Sequence, residues 1–235
     1  STLNIGSATV PTNYSSTTIS GDVFASSTVL NNNGTTNSST LILSNGSDIT
    51  STITTADSNM GILTLSGSST ITGAVGTNTD KLAQVNSGTN GSSSTITDNV
   101  YAVNVTNTGT GTTTFKNDLT ATNLNVNAGI TNVEDNLTAT TTTITTGTGN
   151  FNTISGNTIS DIVFSGSGTA NFSGNLTGNI TTTGNNQGTV TIVGESSGKV
   201  QTITGNVGTS TSLDLSILNI GSATVASNYS TTIIN

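Results

Sequence analysis

Short runs in which apolar and polar residues alternate, separated by glycine and asparagine, make up most of this chain. Leu63-Thr64-Leu65 and Leu124-Asn125-Val126 have the period of two that sends successive side chains to opposite faces of a strand. No 3.6-residue apolar stripe is present, and the good helix formers that would accompany one are scarce. The pattern therefore predicts short β-strands joined by glycine-rich turns. Between Ala121 and Leu124 the apolar positions change parity. A corner between two short strands produces such a change.

The runs repeat. "FKNDLTATNLNVN" (115–127) and "VEDNLTATTTTIT" (133–145) align at an offset of 18, placing Phe115 on Val133, Leu119 on Leu137, Ala121 on Ala139 and Val126 on Ile144. Phe151 and Phe172 continue the phase. Apolar anchors at 115, 133, 151 and 172 thus recur every 18 to 21 residues, with glycine- and asparagine-rich breaks between them. One strand-bearing coil per repeat, with glycine-rich corners, is the signature of a β-solenoid. The expected fold is all-β: a single parallel β-solenoid domain over residues 1–235. Its coils of about 18–21 residues stack at the ~4.8 Å strand spacing. In "VEDNLTATTTTITTG" (133–147), Val133, Leu137, Ala139 and Ile144 are expected to face inward, and seven threonines to take outer and corner positions. A β-sandwich also fits spaced strands with turn signals, but the larger inward-facing residues it needs are missing.

Composition then limits the chemistry. The chain has 235 residues, 3 Lys+Arg against 11 Asp+Glu, a net charge of −8, and only 6% charged residues. A typical globular domain has about 25%. Disorder driven by charge repulsion needs a charge density this chain lacks. Hydrophobic residues at 30% and aromatics at 3% imply a thin core. Threonine, valine and isoleucine supply strand propensity, because their stiff χ1 suits a pleated surface. The single proline, Pro11, argues against a mucin-like stalk. The acidic balance disfavours nucleic acid as a partner, and no run approaches the ~18 apolar residues of a membrane helix. The chain starts at Ser1 without methionine, which is expected of a processed or excised segment.

A longer repeat links the two ends. "STLNIGSATVPTNYSSTTIS" (1–20) and "SILNIGSATVASNYSTTIIN" (216–235) match at an offset of 215, with Leu3 on Leu218, Gly6 on Gly221 and Tyr14 on Tyr229. "ITGAVGTNTDKLAQVN" (71–86) is echoed by "ITGNVGTSTSLDLSILN" (203–219) with one inserted residue. The chain reads as a section of a longer repetitive protein. "GILTLSGSSTITGAVG" (61–76) and "GTVTIVGESSGKVQTITGNVG" (188–208) resemble the repeats of bacterial autotransporter passenger domains. The Ile-Thr-Gly-x-Val-Gly element followed by Leu-Asn-Ile-Gly resembles the passenger regions of rickettsial surface cell antigens. That resemblance covers about a third of the chain. It implies a right-handed β-helix, secretion through an outer-membrane barrel, and an adhesive or surface-layer role.

Residues able to do chemistry are few. Without histidine or cysteine, neither a Ser–His–Asp nor a Cys–His arrangement can be built. Glu134 with Asp135, and Asp118 one coil earlier, are the carboxylates to weigh for polysaccharide cleavage. Adjacent strand residues point to opposite faces, so Glu134 and Asp135 read as corner residues that cap turns. Asp118 and Asn136 are expected to stack at the 18-residue offset. The isolated acids Asp22 and Asp48 lack the spacing of EF-hand or β-roll calcium sites. "TGTGTTTF" (108–115) lacks the lysine of a phosphate loop and reads as a turn. No catalytic, cofactor or metal residue is assigned. Asn13, Asn33, Asn45, Asn104, Asn136, Asn171, Asn175 and Asn179 head Asn-x-Ser/Thr triplets, which permit glycosylation without indicating it.

The expectation is a non-enzymatic structural or adhesive protein of the bacterial cell surface, extracellular or associated with the outer membrane. It forms a rigid rod, fibre or surface layer. Its expected partners are further copies of itself, joined head to tail or laterally, and a host-cell receptor or glycan. The alternative is a ligand-binding solenoid of the ice-binding type, using "TATTTTITT" (138–146) and "ITTTG" (180–184). Such ranks need threonine at one place in many coils, whereas Asn123, Asn125 and Asn127 align with Thr141, Thr143 and Thr145.

Overall fold

Tracing one central coil shows how the alternation becomes a closed shape. In the computed structural model, the strand Leu119–Val126 buries Leu119 and Ala121, turns Thr122 and Asn123 outward, and then buries Leu124 and Val126. The parity change is thus a bend inside one continuous strand. Asn127 to Gly129 turn the chain into the strand Ile130–Val133, which buries Thr131 and Val133. Glu134 to Asn136 return it to Leu137, the start of the next coil. Three short faces result, each contributing two inward positions to a narrow core.

Every coil stacks on the one before it through parallel pairing. The described residues are 1–7, 9, 14–32, 38–145, 147–193, 200–208, 213–221 and 231–234. Among them the strands form an eleven-stranded and a twelve-stranded ladder. Bridges from Ile53 to Val75 and from Val75 to Val100 connect the two. No helix is assigned among the described residues. The chain is a β-solenoid.

Register follows the repeat. Phe115 pairs with Val133, Leu119 with Leu137, Ala121 with Ala139, and Val126 with Ile144. Paired residues are 18 to 21 apart from Val100↔Leu119 through Thr169↔Thr189. Towards the N-terminus the spacing widens to between 22 and 26, as in Thr40↔Ile62 and Val23↔Ile49. Towards the C-terminus it reaches 27 to 31, as in Leu176↔Ile203 and Val200↔Thr231. The additional residues lie between strands, where lengthening a loop costs little.

Two expected positions are corrected. Phe151 does not continue the Phe115–Val133 column: that column runs on through Thr153 to Phe172. Phe151 sits two residues earlier, stacked between Thr131 and Ala170. Bulk is exchanged within the coil, Phe151 for Thr131 and Thr153 for Val133, so the layer is still filled. The Phe151 and Phe172 rings meet edge to face at a centroid distance of 5.9 Å. Thr142 is the second correction. It faces inward in the column Leu124–Thr142–Ile162–Ile180, fully buried, and its hydroxyl bonds that of Ser160 at 2.9 Å. Val133, Leu137, Ala139 and Ile144 face inward as expected.

Glycine makes the close corners. Gly178 has φ +142° and Gly205 has φ +140°. A Cβ added at Gly178 would lie 2.1 Å from the Ser160 carbonyl oxygen, and one at Gly205 would lie 2.3 Å from that of Gly178. Side chains are excluded there both by conformation and by space. The two echoed segments adopt matching turns: Gly73 and Gly205 share one conformation (φ +136° and +140°), Gly76 and Gly208 another (+71° and +81°).

Candidate functional site

The carboxylates raised by the sequence are corner residues with structural partners. Asp118 Oδ1 accepts bonds from the Asn136 backbone N–H at 3.2 Å and from its Nδ2 at 3.0 Å, so the expected stacking is present. Asp135 Oδ1 accepts a second bond from Asn136 Nδ2 at 2.9 Å. Glu134 faces Lys116 of the preceding coil at 3.7 Å. That pair is half exposed, so its contribution is about 0–1 kcal/mol. No group of three or more metal-binding side chains occurs among the described residues. Asp22 and Asp48 serve the fold as acceptors: Asp22 Oδ1 takes the Asp48 N–H at 3.1 Å, and Asp48 Oδ1 takes that of Thr70 at 2.6 Å.

These bonds belong to a larger device that inspection of the sequence did not single out. At the corner before each first-face strand, a side-chain oxygen accepts the backbone N–H of the equivalent residue one coil on. The series runs Asn99 to Asp118, Asp118 to Asn136, Asn136 to Asn157 and Asn157 to Asn175, at 3.0–3.2 Å, and ends on the Thr202 N–H at 2.9 Å. A parallel series runs Asp161 to Asn179 to Asn206 at 2.8 and 3.0 Å. On the outer row of the third face, Asn152 Nδ2 donates to Asn132 Oδ1 at 2.8 Å, and Asn171 Nδ2 to Asn152 Oδ1 at 2.7 Å. Corner N–H groups have no strand partner, and each must find an acceptor or water. Asparagine or aspartate at the coil period supplies one. The asparagines at 136, 171, 175 and 179 that head Asn-x-Ser/Thr triplets are therefore occupied in ladders. Asn13 and Asn33 lie outside the described residues, as do Pro11 and Tyr229.

The threonine ranks are short. Thr120 stacks on Thr138 on the outside of the first face, but the row continues into Tyr101 on one side and Ile159 on the other. On the second face, Asn123 pairs with Thr141 and Asn125 with Thr143, giving the expected mixture. Thr146 of "TATTTTITT" lies outside the described residues. An open depression nearby is lined by Asn179, Thr181, Asn206, Val207 and Gly208.

The most distinctive surface is the C-terminal end of the stack. Leu218 and Ile220 pair over Val190 and Ile192, and Ile234 over Ile203, all of which belong to the core. Leu218, Ile220 and Ile234 are 36%, 52% and 48% exposed. Among the described residues, the strands Leu215–Ile220 and Thr231–Ile234 are the last in their ladders, each with one edge unpaired. At the opposite end Ile5 is buried, and Leu3, Ile19 and Val23 are partly so. Exposed apolar residues and open strand edges are features that favour association.

No family model, curated protein or solved structure matches the chain.

Proposed function

We propose that the chain is a structural or adhesive rod of a bacterial cell surface, extending by association with further copies of itself. One observation carries this reading: the final coil leaves Leu218, Ile220 and Ile234 uncovered beside two unpaired strand edges. A soluble solenoid ordinarily closes its terminal repeats with polar residues. Here the end presents another layer of core, which a further coil would cover. The sparse charge, the filled interior and the partnered carboxylates agree with a protein that works by shape. A host receptor or glycan would then meet the mixed outer rows of threonine and asparagine. Localisation outside the cell belongs to the same proposal and draws on the resemblance to autotransporter passengers.

Electron microscopy of the purified chain over a concentration series tests it. Rods that lengthen with concentration while keeping the width of a single solenoid are expected. Dispersed single rods at every concentration would overturn the reading.

A further inference from the structure

Residues 1–20 and 216–235 match in sequence, and the structure places their strands at opposite extremes of the stack. Thr2–Ile5 begins the eleven-stranded ladder and Leu215–Ile220 ends it; Ser16–Ile19 begins the twelve-stranded ladder and Thr231–Ile234 ends it. The turns after the matched strands agree as well, with Gly6 at φ 82° and Gly221 at φ 91°. The described parts of the two segments are thus alike: strand, glycine turn, strand.

Within the stack, like residues lie on like residues. Leu119 pairs with Leu137, Ala121 with Ala139, and Ile71 with Ile96. Asn132, Asn152 and Asn171 bond through their side chains in one outer row. That row continues through Thr191 to Asn219 in the last coil. Asn4 occupies the matching place in the first coil, exposed, between inward-facing Leu3 and Ile5.

Charge points the same way. All 11 acidic and all 3 basic side chains fall between Asp22 and Asp214, so the matched segments 1–20 and 216–235 carry no charged side chain. Side-by-side association opposes two bodies of net charge −8, whereas end-to-end association brings together strands without charged side chains.

We propose that the C-terminal coil of one copy receives the N-terminal coil of the next in register. Leu3 sits on Leu218, Asn4 on Asn219, Ile5 on Ile220, and Ile19 on Ile234. The contact is heterologous, so it propagates rather than closes. Thr2–Ile5 pairs within its own chain on the face that continues through Ile53, Val75 and Val100, whereas Leu215–Ile220 lies on the face of Ile130–Val133. Matching like to like therefore turns each copy by one face relative to the last. The inference rests on self-association and specifies its register.

Cysteine pairs in the full chain test it, since the native sequence has none. Strand neighbours lie ~4.8 Å apart, within the roughly 4.4–6.8 Å Cα separation of a disulfide. In one molecule positions 4 and 219 sit at opposite ends of the stack, so a bond between them joins two copies. Oxidation of Asn4→Cys/Asn219→Cys should give a ladder of disulfide-linked multimers, and neither single variant should pass beyond weak dimers. Efficient dimerisation of Asn219→Cys alone would mean tail-to-tail docking and would overturn the proposal. So would multimers from Val29→Cys/Asn219→Cys in place of the first pair, because that pattern marks displacement of the first coil. Native chains that lengthen without forming the 4–219 bond overturn only the register; chains that never associate overturn the rod reading with it.

Discussion

At the scale of single residues, the polar side chains of this solenoid replace hydrogen bonds that strand pairing leaves unmade. The buried Thr142–Ser160 contact gives an unequal pair of substitutions. Ser160 Oγ donates to the Asp161 carbonyl at 3.0 Å and accepts from Thr142. Thr142→Val removes a donor but leaves Ser160 with its carbonyl partner, so it should cost less than about 1 kcal/mol. Ser160→Ala strips the buried Thr142 hydroxyl of that partner and should cost about 1–3 kcal/mol. Urea unfolding followed by circular dichroism decides between them; equal effects would mean the hydroxyls are not acting as a pair. Thr142 also shows where residue type alone misleads. Its residue type matches its outward neighbours Thr141 and Thr143, but the 18-residue offset sets it on Leu124 and the period of two joins it to Ile144, and the pairing with Leu124 and Ile162 agrees.

At the scale of the element, a coil is held by its neighbours, and damage to a corner should remain near that corner. Gly178→Ala puts a methyl group against the Ser160 carbonyl oxygen in a backbone region that disfavours side chains. Hydrogen exchange should show lost protection in Leu176–Thr177, Ile180–Thr182 and Val200–Thr204. Val100–Asn107 and Leu119–Val126 should keep theirs, because solenoid contacts join only adjacent coils. Uniform loss along the whole chain would contradict that locality. The same scale explains the Phe151 result. An apolar anchor marks a coil, but the coil has two inward positions on that face, and bulk can occupy either. Phe151 took the Thr131 column because Phe172, in the next coil, fills the other.

At the scale of the molecule, the proposed end-to-end assembly depends on where the charge lies. If copies meet end to end through strands without charged side chains, their remaining repulsion acts at long range and salt screens it. Association followed by sedimentation velocity should therefore rise modestly from low to moderate salt and then level off. A strong, continuing dependence would indicate lateral contacts between the acidic flanks. The open end was legible in the sequence only as a repeat of 215 residues. That it is apolar, uncovered and set at the extremity of both ladders follows from how the coils stack.

The sequence by itself determined strand periodicity, coil length in the central third and the column partners of Leu119, Ala121 and Val126. Alternation and repeat offset depend only on the backbone's geometry and on which positions tolerate water. It also determined the thinness of the core and the lack of histidine and cysteine chemistry, since composition bounds what any fold can bury or activate. The tertiary structure decided which of two inward positions holds the bulk and which corner N–H each asparagine serves. Those outcomes depend on the neighbouring coil, and no single repeat contains the information.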